Sequence, residues 1–360
     1  MYLFDSHCDT PSQIYRLRDV GVDHPHAHVD FPKMRRGGVG AAFFALYTPA
    51  EMPVPEAVLY VQRMISGVRQ AVRRHSSEVR MARSAAEVTE NVDDGMISIL
   101  LGMENGAPID GSLALLRWYF RMGVRYVTLT HNGDNALADS AAEGKTWGGL
   151  SPFGREAVRE MNRLGMMVDL SHAADSTFWD CISLSEAPVI ASHSCCRALC
   201  GHRRNLTDDM LQALGEKDGY VGINFYPAFL RDDFGASVEE KGLLDEADRV
   251  EAAFIQDPAD PARVAKWEEI QDRLREIHRA DVRDVVDHID HAVRLAGIDH
   301  VGIGTDFDGI TVPPKGLESI ADVGLVWEEM RRRGYDEAAV TKVAGGNMLR
   351  VMKKVASFSK

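Results

Sequence analysis

Histidines and carboxylates recur in one setting in this 360-residue chain: just after a short apolar run. His7 and Asp9 follow the run Tyr2-Leu3-Phe4, with one residue between them. Two residues apart on extended backbone, an imidazole and a carboxylate point the same way and can meet one cation. Glu104 lies in Gly102-Met103-Glu104-Asn105-Gly106, directly after an apolar run from Met96 to Leu101. A carboxylate there is costly if it faces a core and belongs at an open rim. His131 follows Thr128-Leu129-Thr130, His172 follows Asp169-Leu170-Ser171, and His193 follows Ile190-Ala191-Ser192. Asp306 sits in Gly304-Thr305-Asp306-Phe307-Asp308-Gly309, after Val301-Gly302-Ile303, and is placed to stand over a metal-bound water. Asp308 reads as a cap for the turn that follows.

Each motif is weak alone, since an HxD triplet arises by chance and a lone histidine is more often a core residue. As a set they hold imidazoles and carboxylates with no thiolate, which suits zinc and leaves iron and manganese open. The set also exceeds the needs of one tetrahedral zinc, so two metals sharing a bridging carboxylate use it better. Cys195, Cys196 and Cys200 follow His193, but their spacing matches no closed zinc module, and Cys8 faces away from its neighbours His7 and Asp9. Buried free thiols are the expectation. No nucleophile-elbow sequence is present, and Gly345-Gly346-Asn347 lacks the lysine of a phosphate loop.

The elements that must carry these residues are legible as well. Eight apolar runs of strand length occur at 2–4, 40–45, 96–101, 126–129, 167–170, 189–191, 220–223 and 301–303. Near-continuous apolar runs are the mark of parallel strands covered on both faces. Between them, Val58, Val61, Ile65, Val68 and Val72 keep the spacing of one helical face, as do Val282, Val285, Val286, Ile289 and Val293. Strands alternating with helices predict an α/β fold, and eight of them a (β/α)8 TIM barrel. In such a barrel all C-terminal strand ends open on one face, so the six site-bearing runs converge. One barrel domain over 1–360 is expected. A densely charged stretch at about 229–281, with Asp257-Pro258 and Asp260-Pro261, reads as a helical insertion. It is either a solvated surface excursion or a flap or dimer contact at the site mouth.

Acidic residues number 54 against 41 Lys and Arg, a formal charge of −13. Such a surface repels phosphate backbones, which argues against a nucleic-acid partner. No apolar segment reaches the roughly 20 residues of a membrane span. The first residues show no basic leader, and five cysteines make an odd number. Free thiols in a reducing compartment, the cytoplasm by default, are therefore expected.

The motifs together resemble the membrane (renal) dipeptidase family of zinc peptidases. The resemblance is carried by Phe4-Asp5-Ser6-His7-Cys8-Asp9, Gly102-Met103-Glu104-Asn105, Leu129-Thr130-His131-Asn132, Val168-Asp169-Leu170-Ser171-His172 and Ala191-Ser192-His193-Ser194. It continues through Arg203-Arg204-Asn205, Asn224-Phe225-Tyr226, Gly304 to Gly309, and Gly346-Asn347 with Arg350. It implies a barrel of the amidohydrolase type with two zinc ions. His7 and Asp9 would hold one, His172 and His193 the other, and Glu104 would bridge. His131, Arg204 (or Arg203 beside it) and Tyr226 would contact substrate, and Asp306 would serve the bridging water. The implied reaction is hydrolysis of dipeptides by metal-bridging hydroxide, including dipeptides with a C-terminal D-residue. Another two-metal amidohydrolase, such as a lactonase or β-lactam hydrolase, is the rival enzyme reading, and a non-catalytic ligand-binding barrel the rival binder. The bridging acid falls on the third run, whereas many of those rivals bridge with a modified lysine on the fourth. A bacterial-type member is implied, and a homodimer stays open.

Overall fold

The computed structural model describes residues 1–142 and 145–360. Nine strands form one parallel sheet: β1 (Leu3–Cys8), β2 (Val39–Tyr47), β3 (Val79–Met81), β4 (Ile97–Glu104), β5 (Val124–Thr128), β6 (Met167–Asp169), β7 (Ile190–Ala191), β8 (Tyr220–Ile223) and β9 (Val301–Ile303). Eight run in the order β1-β2-β4-β5-β6-β7-β8-β9. The circle is completed where Asp306 N donates to His7 O at 3.0 Å and Asp9 N to Phe307 O at 2.8 Å. The result is the nearly closed parallel barrel expected, with each strand on one of the eight apolar runs.

The ninth strand, β3, was not among those runs. It pairs with the first half of β4, Val79 opposite Ile97, while β5 pairs with the second half from Leu101. Three residues with an exposed Arg80 in the middle offer no periodic signal.

Alternation along the strands sorts side chains into two layers. Phe4, Phe43, Leu100, Tyr126, Met167, Ile190 and Tyr220 pack together inside the barrel. Leu3, Phe44, Leu101, Val127, Val168 and Val221 face outward, where helices such as Val54–Arg74 and Val282–Ala296 bury their valines against them. Two tyrosines fit inside because glycines stand across from them. A Cβ on Gly102 would lie 2.1 Å from Tyr126 Cζ, and one on Gly302 would lie 2.3 Å from Tyr220 Oη. This packing matters above, because Tyr126 carries its hydroxyl up to the rim.

Between β8 and β9 the charged insertion forms two helices, Val238–Gln256 and Pro261–Leu274. Ser237 opens the first with a reciprocal capping box with Glu240, and Asp260 caps the second ahead of Pro261. A small apolar cluster of Ala247, Ile270, Leu274 and Val312 ties the pair to the loop after β9. Two residues of this stretch, Glu251 and Ile255, line the central cavity. Among the described residues no helix is long and apolar enough to cross a membrane. All five cysteines are buried and unpaired, as expected from their spacing.

Candidate metal centre

Glu104 ends β4 and lies at the middle of the rim. Its Oε2 is 3.5 Å from His7 Nε2. Its Oε1 is 3.1 Å from His172 Nε2, 3.5 Å from His193 Nε2 and 4.0 Å from His131 Nε2. His7 Nε2 in turn is 3.5 Å from Asp9 Oδ2 and 3.9 Å from Asp306 Oδ1. Residues from six strand ends thus meet within a few ångströms, as the barrel geometry requires. Three groups of ligand-type atoms result: His7, Glu104 and His193; Glu104, His131 and His172; His7, Asp9 and Asp306. Glu104 belongs to two of them.

The neighbours aim these side chains. Tyr126 Oη lies 2.8 Å from His7 Nδ1, leaving Nε2 directed at the carboxylates. Ser192 Oγ lies 2.8 Å from His193 Nδ1 and donates to Asp169 Oδ2 at 2.6 Å. Asp169 is fully buried and also accepts from Ser192 N and Thr128 Oγ1. Such outer partners fix a ligand's tautomer and ring angle. Hydrogen-bonded strand positions did not disclose this layer in advance, although an aspartate inside the apolar run Val168-Asp169-Leu170 was its one visible sign. Backbone strain gathers here too: His172, Asp306, Asp308 and Asn105 have φ of 65°, 60°, 68° and 77°. Non-glycine residues seldom adopt this region, and those that do cluster at functional sites.

Burial and charge set the protonation. Burial pushes His7 toward neutrality, but Glu104 and Asp9 outweigh it and raise its pKa well above the ordinary value. Burial would raise Glu104, yet the His7 charge and the hydrogen bond from His172 hold it well below the carboxylate range. Asp9 is raised, first by burial and then by Glu104. His172 and His193 are lowered by burial, with Arg204 adding to it. The cluster therefore calls for positive charge at its centre, which cations can supply. Atom by atom the fit is the same. His7 Nε2, Asp9 Oδ1 and His193 Nε2 are buried without a hydrogen-bond partner, a costly state for polar atoms unless a ligand satisfies them.

A cavity of about 500 Å³ opens above the cluster. Arg204 reaches it from the loop after β7, its guanidinium 5.2 Å from the Phe229 ring centre, and donates to His193 O at 3.2 Å. Its Nε is buried without a partner. Burial lowers this arginine to about 10. Arg203, beside it, is exposed and donates to Ala142 O at 3.0 Å, so of the two candidates Arg204 is the one enclosed at the site. Tyr226 lines the cavity, as does His131, whose ring packs edge-on against Tyr47 at 4.7 Å. Asn224 Nδ2 donates to Asp306 Oδ2 at 2.9 Å, leaving Oδ1 toward His7. Burial raises the Asp306 carboxyl, with His7 opposing.

Asp308 departs from expectation. It does not cap the turn after it; it is almost wholly buried, paired with Arg18 and accepting from Thr10 Oγ1 at 2.9 Å. Its backbone N donates to His28 Nδ1 at 3.1 Å. The reason is its left-handed backbone, which turns the side chain inward to the charge of Arg18. Gly309, next along, carries a second role that no spacing discloses. A Cβ there would lie 2.2 Å from Asp9 Oδ2 and 2.9 Å from Asp306 Oδ1, so the carboxylates occupy the room its hydrogen leaves.

The model of the membrane dipeptidase family, peptidase family M19, matches residues 1–360. The chain belongs to the M19 family. It is 37% identical over 353 residues to the dipeptidase aclJ of Aspergillus oryzae, covering 96% of this chain and 74% of that one. Among solved structures, a metallo peptidase from Rhodobacter sphaeroides, liganded with a phosphinate mimic of the dipeptide L-Ala-D-Ala, superposes with a TM-score of 0.82. It shares 27% identity, with 99% of each chain covered. The probable dipeptidase PvdM from Pseudomonas aeruginosa gives a TM-score of 0.85 at 29% identity, covering 100% of this chain and 96% of that one. Metallopeptidase relatives and a cluster of orphaned ligand atoms together make this M19 chain a metal-dependent hydrolase.

Proposed function

We propose that the chain is a two-zinc dipeptidase that hydrolyses the peptide bond of free dipeptides, including those with a D-residue at the second position. One observation carries the reading: Glu104 belongs to two groups of ligand-type atoms, one with His7 and His193 and one with His131 and His172, its Oε2 facing His7 and its Oε1 facing His172 and His193. A carboxylate so shared is the bridge a two-metal site needs. In this reading His7 and Asp9 hold one ion, His172 and His193 the other, and Glu104 both. Bound in that way, the ions supply Lewis acidity toward a carbonyl oxygen and lower the pKa of water from about 15.7 toward 7.

The chain's own groups then do the rest. Asp306 takes the proton of the attacking water on Oδ1, since Oδ2 is held by Asn224. It passes that proton to the departing amine, so one C–O bond forms, one C–N bond breaks, and one water is consumed. His131, kept neutral by burial, donates its ring N–H to the carbonyl oxygen as that oxygen gains charge, a contribution of about 3 kcal/mol for such a donor. Arg204 clamps the terminal carboxylate of the substrate through its fork of donors. A clamp at one end favours short peptides with a free C-terminus. The phosphinate dipeptide mimic in the Rhodobacter relative supports the same substrate class and the D-configured second residue.

The test is hydrolysis of L-Ala-L-Ala, L-Ala-D-Ala, the C-terminal amide of each and a tripeptide, with chelator-stripped and zinc-reloaded enzyme. Zinc-dependent cleavage of the free dipeptides, with the amides cut at least tenfold more slowly, is expected. Equal cleavage by stripped enzyme, or of the blocked peptides, would sink the reading.

A further inference from the structure

The far wall of the cavity contains two charged groups that the catalytic reading leaves unused. Arg16, just beyond the helix Thr10–Tyr15, faces Glu251 of the insertion helix, with Arg16 Nη1 3.7 Å from Glu251 Oε1. That is ion-pair range but too long for a hydrogen bond. Among the described residues neither side chain has another ion-pair partner, and Glu251 accepts no hydrogen bond. The Arg16 side chain is 13% exposed and that of Glu251 39%, so the carboxylate is the group an arriving ligand can reach. Ile255, one turn further along the helix, and Ile310 line the same cavity. Across it lies the guanidinium of Arg204 with its buried, unpartnered Nε.

We propose that Glu251 is a specificity-determining residue that favours dipeptides carrying a long cationic side chain, lysine or arginine, at one of their two positions. The inference rests on the dipeptidase reading and extends it to a substrate class. Two physical arguments fix the sign. The isoleucines offer apolar surface for an aliphatic stem whose charged head then meets a carboxylate, the arrangement long basic side chains adopt. An acidic side chain would have to displace Glu251 from Arg16 and remain beside it, and beside Asp248 one turn earlier, at a cost in like-charge repulsion. Burial raises the Glu251 carboxyl against the opposing charge of Arg16, and Asp248 adds to the rise, so the one cation already present leaves room for a second.

The wall belongs to the insertion, outside the strand ends that carry the metal ligands. Specificity here can therefore change without touching the centre. A half-exposed charge pair is worth a modest factor, about tenfold in kcat/KM.

The experiment measures kcat/KM of zinc-loaded wild type and Glu251→Gln on Lys-Ala, Ala-Lys, norleucine-Ala, Ala-norleucine, Glu-Ala and Ala-Ala. Expected is a preference of about tenfold for lysine over norleucine at one position, which Glu251→Gln abolishes while Ala-Ala changes less than twofold. Glu251→Asp should restore part of the preference. Absence of a lysine preference at both positions, a preference for glutamate, or a lysine preference that survives Glu251→Gln overturns the inference and leaves the dipeptidase reading intact. Failure of the wild type to cut any of these, Ala-Ala included, overturns both.

Discussion

Gly309→Ala isolates the geometry of the metal centre from its chemistry, because it adds one methyl group and removes no functional atom. The new carbon would sit 2.2 Å from Asp9 Oδ2 and 2.9 Å from Asp306 Oδ1. Ordinary contact needs roughly 1 Å more than the first of these distances. The backbone at Gly309 is not in the left-handed region, so the methyl meets no conformational penalty of its own. The Asp9 carboxylate is the end of a side chain and swings aside at small cost to the fold. The strain therefore falls on Asp9, a ligand in the proposed two-metal reading. Displacement of a positioned group by about 1 Å costs on the order of 100-fold in rate, and loss of one ligand's alignment roughly 10–100-fold in metal affinity. Thermal unfolding, zinc titration with a competing chelator, and kcat/KM on L-Ala-D-Ala would be compared with wild type. The expected result is a Tm within a few degrees, weaker zinc binding and a rate down by about two orders of magnitude. Wild-type metal affinity and rate in a folded Gly309→Ala protein would refute the placement of Asp9 in the centre.

Further predictions address the remaining roles. In the proposed mechanism Asp306 carries the proton and is not a ligand, so Asp306→Asn should retain both ions by elemental analysis and lose turnover by about 100-fold or more. Arg204→Lys should raise KM for free dipeptides by about tenfold or more while affecting their C-terminal amides far less, because a lysine cannot reproduce a two-pronged hold. His28 is lowered to about 4, chiefly by burial, and accepts from Asp308 N. A folded pKa below the unfolded value of about 6.5 means that stability is complete above that value and is lost as pH falls toward 4. Denaturant unfolding should show a loss of about 3 kcal/mol across that window, and His28→Asn should flatten it.

Strand positions were legible where a strand is buried on both faces, because apolar side chains must then follow one another without interruption. All eight barrel strands gave such runs. Their polar ends were not legible as strand. Asp5, Ser6 and His7 belong to β1 because each finds a partner inside the barrel: Asp5 accepts from Thr305 Oγ1 at 2.6 Å, and Ser6 donates to Ser192 O at 2.6 Å. Those partners lie 300 and 186 residues away in the chain, so no local pattern reports them. Residue type and place after a strand were enough to pick out the cluster from His7 to Asp306. Direction was harder. Arg203 and Arg204 are indistinguishable by type, and only the fold encloses one and exposes the other. Asp308 has the local setting of a turn residue, and its partner Arg18 lies 290 residues away in the chain.

The central claim is that Glu104 serves two metal ions at once. Its most direct measurement is zinc content per chain of the purified, zinc-loaded protein and of its Glu104→Gln variant. Two zinc ions in the wild type and fewer than one in the folded variant are predicted. One zinc ion per wild-type chain, or two retained by Glu104→Gln at unchanged affinity, would contradict the account.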